Sequence, residues 1–528
     1  MKIIIKEFFR VAKKYKIDFF KSIFLILFLS ILSSVVPFAF RYFLDYSTEV
    51  NDYKILILFI FVFLLYFLLK TFITILWYVS LDNFGGKYMS DTIVAAQAKM
   101  LNSMDFLTIE NEKNTKLKHV LYVDVLNAFT SIGHHLPSII SALLVIIILI
   151  FLSFFINYKF SFILFLGIVL GIALSFVSRK KITESSSISN KYLKNLNYNT
   201  SNFLESVSIA KLNKLDNYFE NISRNSVFSF IKAVKKEDSK TYMWAGLSSG
   251  YMSLFSYFIS ALLVLPLFDG TLLNYVLLTI ICSLAIQESE TIVNNFRLLF
   301  KSVISFKNID TILSSVAKNV EYLKEINSIK GENVNFKIED KQIIKNLNFN
   351  FKKGEMIRIK GINGSGKSTL VKMIVGLYEN DSIIYNNSEK KSPLKKTLFI
   401  EQNELLLNET VCNYLSIITG ESIDDAMKAV FAKKLKLDRN IFDKNIENFG
   451  ENLSNGELKK IQIIRLMLDS HKKDLIILDE IMSGLDASTR KIYLSYLQEL
   501  KKQNKIIILI EHERLEFNFD QVLEMKNN

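Results

Sequence analysis

Six apolar stretches constrain this chain more than any other feature: roughly residues 20–44, 54–78, 138–157, 159–178, 243–268 and 271–291. Each has about the 20 residues that a membrane-spanning helix needs, and none lies beyond residue 291 of 528. Composition agrees with this. Half of the residues are hydrophobic, 43 are Phe and the mean hydropathy is +0.25, too apolar for an ordinary soluble protein of this length.

The connections between the stretches alternate in length. Those after the first, third and fifth are short (Asp45 to Tyr53, Asn157-Tyr158, Asp269-Gly270), whereas residues 81–137 and 179–242 form long ones. The second long connection is rich in cations, from Arg179, Lys180 and Lys181 to Lys235, Lys236 and Lys240, while the short ones carry or adjoin Asp45, Glu49, Asp52, Lys54, Lys159 and Asp269. Cationic loops stay on the cytoplasmic side, so both termini and both long connections are expected there, in a multi-pass protein surrounded by membrane lipids. The net charge of +13 is then largely topological, and nucleic acid is not an expected partner. The long connections carry apolar residues at helical intervals without proline, so the spans should continue as helices below the membrane.

The start, "MKIIIKEFFRVAKKYK", lacks a secretory apolar core followed by a small-residue cleavage site. Ile4, Phe8, Val11 and Tyr15 share one helical face, which suits either an interfacial helix on the inner leaflet or a tail of the first span. Cys282 and Cys412 are expected to be buried, unreactive thiols outside any disulfide framework.

Helical patterning continues through 292–327 and changes at Gly331, where "VNFKI", "MIRIK", "TLFIEQ", "LIILDE" and "IIILIEH" read as short strands between helices. The expected organisation is an all-α polytopic membrane domain of six long helices over 1–320, followed by an α/β domain over 328–528 that the motifs below make a P-loop ATPase domain.

The second domain carries the chemistry. "GINGSGKST" (Gly361, Ile362, Asn363, Gly364, Ser365, Gly366, Lys367, Ser368, Thr369) satisfies G-x-x-x-x-G-K-[ST] between the strand-like "MIRIK" and the helical "LVKMIVGLY". In that setting backbone N–H groups and a helix N-terminus face phosphates, Lys367 reaches the β and γ positions of ATP, and Ser368 ligates Mg²⁺. "DLIILDE" ends in Asp479, suited to the Mg²⁺ shell, and Glu480, suited to polarising the attacking water. "GENLSNGELKK" can be read as a glycosylation acceptor at Asn452, as a capping box from Ser454 to Glu457, or as a nucleotide-binding signature. The cytoplasmic placement removes the first reading and lets the other two merge.

Taken together these motifs resemble the ATP-binding cassette transporters, in the half-transporter exporter arrangement of six spans and one cassette, along essentially the whole chain. The resemblance adds Gln402 in "IEQNELLLNETVCNYL" as the residue coupling Mg²⁺ and γ-phosphate to the membrane helices, "SGLD" (Ser483 to Asp486) as the D-loop, and His512 in "ILIEH" as the switch histidine. It also places Arg465 where an arginine is common. "LSNGE" stands where the family has "LSGGQ", so Ser454, Asn455, Gly456 and Glu457 should face the γ-phosphate held by another cassette. Asn455, replacing a Gly, tolerates unusual backbone angles better than most residues. The resemblance implies coupling helices near Met104 to Asn114 and Ser206 to Asp216. It further implies ATP and Mg²⁺ as cofactors, a bacterial plasma membrane, and a dimer, here expected to be a homodimer.

There are departures from the family pattern. The position of the adenine-stacking aromatic holds Ile338, Phe336 is assigned to the core, and Tyr322 is a possible substitute ring. The sequence ends sixteen residues after His512, so tail helices are not expected, nor is leader-peptide processing by this chain, which shows no peptidase segment before the spans. Lys70 and Glu288 are intramembrane charges, read as lining a cargo cavity. The cargo ranked first is a peptide or amphipathic small molecule, then a lipid or drug-like compound. The alternative from another class is a non-transporting ATPase that regulates a membrane partner.

Overall fold

The computed structural model describes residues 2–49, 53–102, 104–112, 117–177, 179–262, 271–314, 321–338, 341–386, 391–511 and 518–525. The chain divides into two compact units, one of Met1–Met104 with Ile109–Ala317 and one of Asp105–Thr108 with Lys318–Asn528.

The first unit is helical: α1 (Lys2–Lys14), α2 (Lys16–Glu49), α3 (Tyr53–Asn102), α4 (Phe106–Glu112, which straddles the division), α5 (Val125–Thr130), α6 (Leu136–Ile156), α7 (Tyr158–Val177), α8 (Arg179–Glu205), α9 (Val207–Asn213), α10 (Asp216–Leu262) and α11 (Leu272–Leu313). The 50 residues of α3 extend about 75 Å at the helical rise. That is more than twice a hydrocarbon core of about 30 Å, so most of its second half lies outside the membrane. Phe61, Leu65, Leu68 and Phe72 on α3, and Phe151 and Phe154 on α6, are exposed on the bundle exterior, as lipid-facing side chains are. Among the described residues four helices are long and apolar enough to cross a membrane. Tyr158–Leu174 and Gly250–Leu262 are shorter apolar segments, and the end of the fifth stretch, 263–268, lies outside the described residues.

Three local features add to what the sequence pattern gives. The apolar face of α1 is not free for lipid: Ile4, Phe8 and Val11 are buried in the bundle, and the Phe8 ring packs on Phe19 at 5.7 Å and Phe84 at 5.8 Å. Two π-helical turns, Val120–Asp124 and Ser131–His135, precede α6. Such turns often mark functional positions, and polar pairs gather along this stretch: Asn308 Nδ2 donates to Asp124 Oδ2 at 2.8 Å, His134 Nε2 meets Asp82 at 2.9 Å, and His135 Nδ1 lies 3.0 Å from Asn295 Oδ1. Cys282 is buried as expected, but Cys412 is only half-buried, its thiol 3.8 Å from the Ile423 carbonyl.

The second unit is an α/β domain. Strands β1 (Ser328–Ile338), β2 (Lys341–Lys352) and β4 (Ile383–Tyr385) form an antiparallel sheet in the order β2-β1-β4. Strands β3 (Met356–Lys360), β5 (Thr397–Ile400), β6 (Leu475–Asp479), β7 (Ile506–Ile510) and β8 (Gln521–Glu524) form a parallel sheet in the order β5-β6-β7-β3-β8. Every residue of β6 and of β7 is buried, as the unbroken apolar runs LIILD and IIILI require of central parallel strands. Helices α12 (Lys367–Val375), α13 (Val411–Thr419), α14 (Asp425–Leu435), α15 (Asn455–Asp469) and α16 (Ala487–Lys502) complete the unit. Strands β3, β5 and β6 all point their carboxyl ends to one side, the side where open α/β sheets bind ligands.

Candidate nucleotide site

The loop between β3 and α12 is shaped by glycines that no other residue replaces cheaply. Gly364 and Gly366 have φ of +82° and +89°, and a Cβ on Gly366 would come within 3.1 Å of the Ile343 side chain. The helix that follows starts at Gly366 without a side-chain cap, so its first N–H groups remain available to an anion. Lys367 Nζ donates to the carbonyls of Gly361 (2.8 Å) and Ile362 (3.1 Å), which holds the ammonium over the loop. Ser365 is buried, and its hydroxyl has no hydrogen-bond partner among the described residues.

Around this loop is a cleft of about 560 Å³ lined by Asn363, Gly364, Gly366, Lys367, Ser368 and Thr369, with Ile343 on one side and Gln402, Asp479 and Glu480 on the other. Asp479 is the last residue of β6. Burial, then the charges of Glu480 and Glu401, push its carboxyl up to about 6 against the pull of Lys367 and Lys459. Glu480 sits at φ +50°, a left-handed conformation that a residue with a Cβ adopts only under constraint. Two bonds supply the constraint: its N–H donates to Ile510 O at 2.9 Å, and its Oε2 accepts from Gln402 Nε2.

The other sequence-assigned residues are placed elsewhere. Ser454 begins α15 through a complete capping box, Ser454 N–H donating to Glu457 Oε2 at 2.8 Å and Glu457 N–H to Ser454 Oγ at 3.2 Å. The Glu457 carboxyl is held below the ordinary range, chiefly by the bond from Ser454 N–H. Asn455 is the first residue of that helix and is not among the positive-φ residues, so the expected tolerance for unusual angles is not called on. Its amide instead lies beside Gly484, where an added Cβ would come within 3.4 Å of Nδ2. Gly456 has open space around it. Asp486 does not line the cleft; it caps α16, accepting from Thr489 N–H (2.8 Å), Thr489 Oγ1 (2.9 Å) and Ser488 Oγ (2.5 Å). These bonds depress its carboxyl far below the carboxylate range. His512 lies outside the described residues.

Phe336 packs against the core as expected, and Tyr322, the ring considered for a nucleobase, is otherwise engaged. Phe336 stacks on Tyr378 at 5.3 Å, and Tyr322 carries the Lys395 ammonium 4.1 Å above its ring; neither they nor Ile338 line the cleft. Lys70 and Glu288 are both partly buried and interact electrostatically.

Of the residues behind the cleft, sequence reading singled out Arg465 by resemblance alone and missed the rest. Lys459, Gln462 and Arg465 of α15 all bond to the segment after β5, and buried Arg358 donates to the Glu511 carbonyl at 2.9 Å. A Lys and a Gln buried at helical spacing are the signal that was there to be read.

Residues 344–483 match the family described as ABC transporter. Over 220 residues the chain is 32% identical to a probable ABC transporter ATP-binding/permease protein of Haemophilus influenzae, an alignment covering 39% of each. It is 31% identical over 207 residues to the ergothioneine transport ATP-binding protein EgtV of Helicobacter pylori, covering 37% of this chain and 93% of that one. The chain belongs to the ABC transporter family. The structure of a bacterial Atm1-family ABC exporter with ATP bound superposes with a TM-score of 0.82 at 16% identity, over 97% of this chain and 94% of that one, which shows the fold. This ABC transporter is thus an integral membrane protein with the half-transporter fold, a helical membrane domain fused to an α/β ATP-binding domain.

Proposed function

We propose that the chain is one half of an ATP-driven exporter, which moves cargo outward from the cytoplasm or inner leaflet and works as a homodimer in a bacterial plasma membrane with both termini cytoplasmic. The observation that carries this reading is the cleft: phosphate-binding loop, Lys367, Asp479 and a constrained Glu480 converge in one unit of a chain whose other unit bears membrane-length apolar helices.

In this reading Gly361, Asn363, Gly364, Ser365, Gly366 and Thr369 wrap the phosphates, with backbone N–H groups doing most of the work and Lys367 neutralising charge that grows as the γ-phosphoryl leaves. The donors Ser368, Asp479 and Gln402 are hard oxygens, the kind Mg²⁺ takes alongside phosphates and water. An Mg²⁺ held by these residues would supply charge neutralisation to the phosphates. Glu480, oriented by Gln402, receives the proton of the attacking water, and His512 is assigned to hold the γ-phosphate. Ser454, Asn455, Gly456 and Glu457 complete the site of the partner subunit, and Asp486 contributes by shaping the loop between the two sites. The short helices α4 and α9 fall within the segments assigned to coupling. Without an aromatic platform in the described cleft, ATP should be preferred over GTP only weakly.

For cargo, a peptide or amphipathic small molecule ranks first, with Lys70 and Glu288 as cavity residues, and a lipid or drug-like compound second. Inside-out vesicles given external ATP and candidate cargos, with Glu480→Gln as control, test this. ATP-dependent accumulation lost in the variant supports export; turnover with no cargo moved points to the regulatory ATPase instead.

A further inference from the structure

Helix α15 is tied along one flank to the segment that carries Gln402. Lys459, Gln462 and Arg465 succeed one another at three-residue steps and so share a flank. Lys459 Nζ donates to the Gln402 carbonyl at 3.2 Å, Gln462 Nε2 donates to the Glu401 carbonyl at 3.3 Å, and Arg465 is ion-paired with Glu404. Lys459 is 4% exposed and Gln462 1%, so water competes little for these bonds. Segments that follow a strand are ordinarily solvated and mobile; this one is anchored at three of four consecutive residues.

Lys459 is the telling member of the set. A buried ammonium is costly unless charges answer it, and the groups acting on it are the carboxylates of Glu511, Glu480 and Asp479. Its bond fixes the peptide from which the Gln402 side chain departs, and that side chain donates to Glu480.

We propose that Lys459 is a positioning residue for hydrolysis: by holding the Gln402 carbonyl it sets the Gln402 amide against Glu480, and so joins the signature helix to the hydrolytic acid of the same subunit. This rests on the reading of Glu480 as that acid. The consequence is that displacement of α15 at one composite site is felt at the acid of the other.

The test uses the full chain in lipid nanodiscs with Mg-ATP. Lys459→Met should lower kcat about tenfold and change KM for ATP less than about twofold, while Lys459→Arg stays within about threefold of the parent. In a Gln402→Ala background, Lys459→Met should cost less than about a further twofold, because both changes disable one device. Equal losses in the two backgrounds would mean Lys459 supports the fold only, and would overturn the proposal. Hydrogen exchange supplies a readout that needs no turnover: in Lys459→Met, protection of residues 401–404 falls while that of β6 is kept. Unchanged protection there also overturns it. Should the parent hydrolyse ATP no faster than Glu480→Gln, the hydrolytic reading fails by itself, and exchange still decides whether Lys459 holds the segment.

Discussion

Two helices of the ATP-binding domain begin where sequence reading puts a phosphate, and they begin in opposite ways. Helix α12 starts at a left-handed Gly366 with no side-chain cap, so its first N–H groups open onto the cleft. Helix α15 starts at Ser454 with both halves of a capping box in place, so two of its terminal N–H groups are satisfied from within. The first N-terminus is complete only with a ligand; the second is complete alone. A phosphate at the second is still compatible with the cap. The Ser454 oxygen accepts from Glu457 N–H, which leaves the hydroxyl hydrogen to donate.

Unequal consequences should follow at the two helix starts. Lys367→Ala should give the largest loss, with steady-state ATPase falling about 10²- to 10³-fold, the cost of removing one preorganised donor to a transition-state charge. Ser454→Ala should be milder, about tenfold in turnover, alongside about 1 kcal/mol from loss of the cap. If it equals Lys367→Ala in the same assay, the two N-termini are equivalent and the comparison breaks. Asn455→Gly should change turnover less than about twofold, since Asn455 has ordinary helical geometry and no strain for a glycine to relieve. A large gain would show that its amide beside Gly484 obstructs the site.

The smallest effect concerns pH. Glu457 is held below its unfolded value, so its contribution to stability is complete above the unfolded carboxylate range and is lost as pH falls through the lower folded value. Glu457→Gln keeps an acceptor but no charge. Denaturation profiles of the variant and parent should therefore differ near pH 7 and converge only once the pH has fallen below the ordinary Glu range. A constant gap would mean the box owes nothing to the charge.

The features most legible in the sequence were those written in contiguous residues. The apolar stretches became long helices, "MIRIK" and "LIILD" became β3 and β6, and the Ser454 to Glu457 spacing became a closed capping box. Strand β2 was missed although Phe349 and Phe351 alternate inward, because its middle, Lys345 to Asn348, reads as a turn. The π-helical turns were missed because their five-residue bonding disrupts the period used to find helices. Ring contacts were illegible for a different reason. Phe336 and Tyr322 found partners, Tyr378 and Lys395, that lie 42 and 73 residues away, and no local pattern announces such contacts.

The sequence by itself determined that this chain crosses a membrane and carries a phosphate-binding loop ahead of a paired Asp479-Glu480, because hydropathy, glycine placement and strand ends are properties of short segments. Tertiary structure alone decided that Gln402 holds Glu480 across 78 residues, that Lys459 holds Gln402 across 57, and that Arg465 pairs with Glu404 across 61. Those facts depend on which strand lies beside which. Setting β5 next to β6 brings their carboxyl ends together, and packing α15 behind them turns three separated polar residues into one brace.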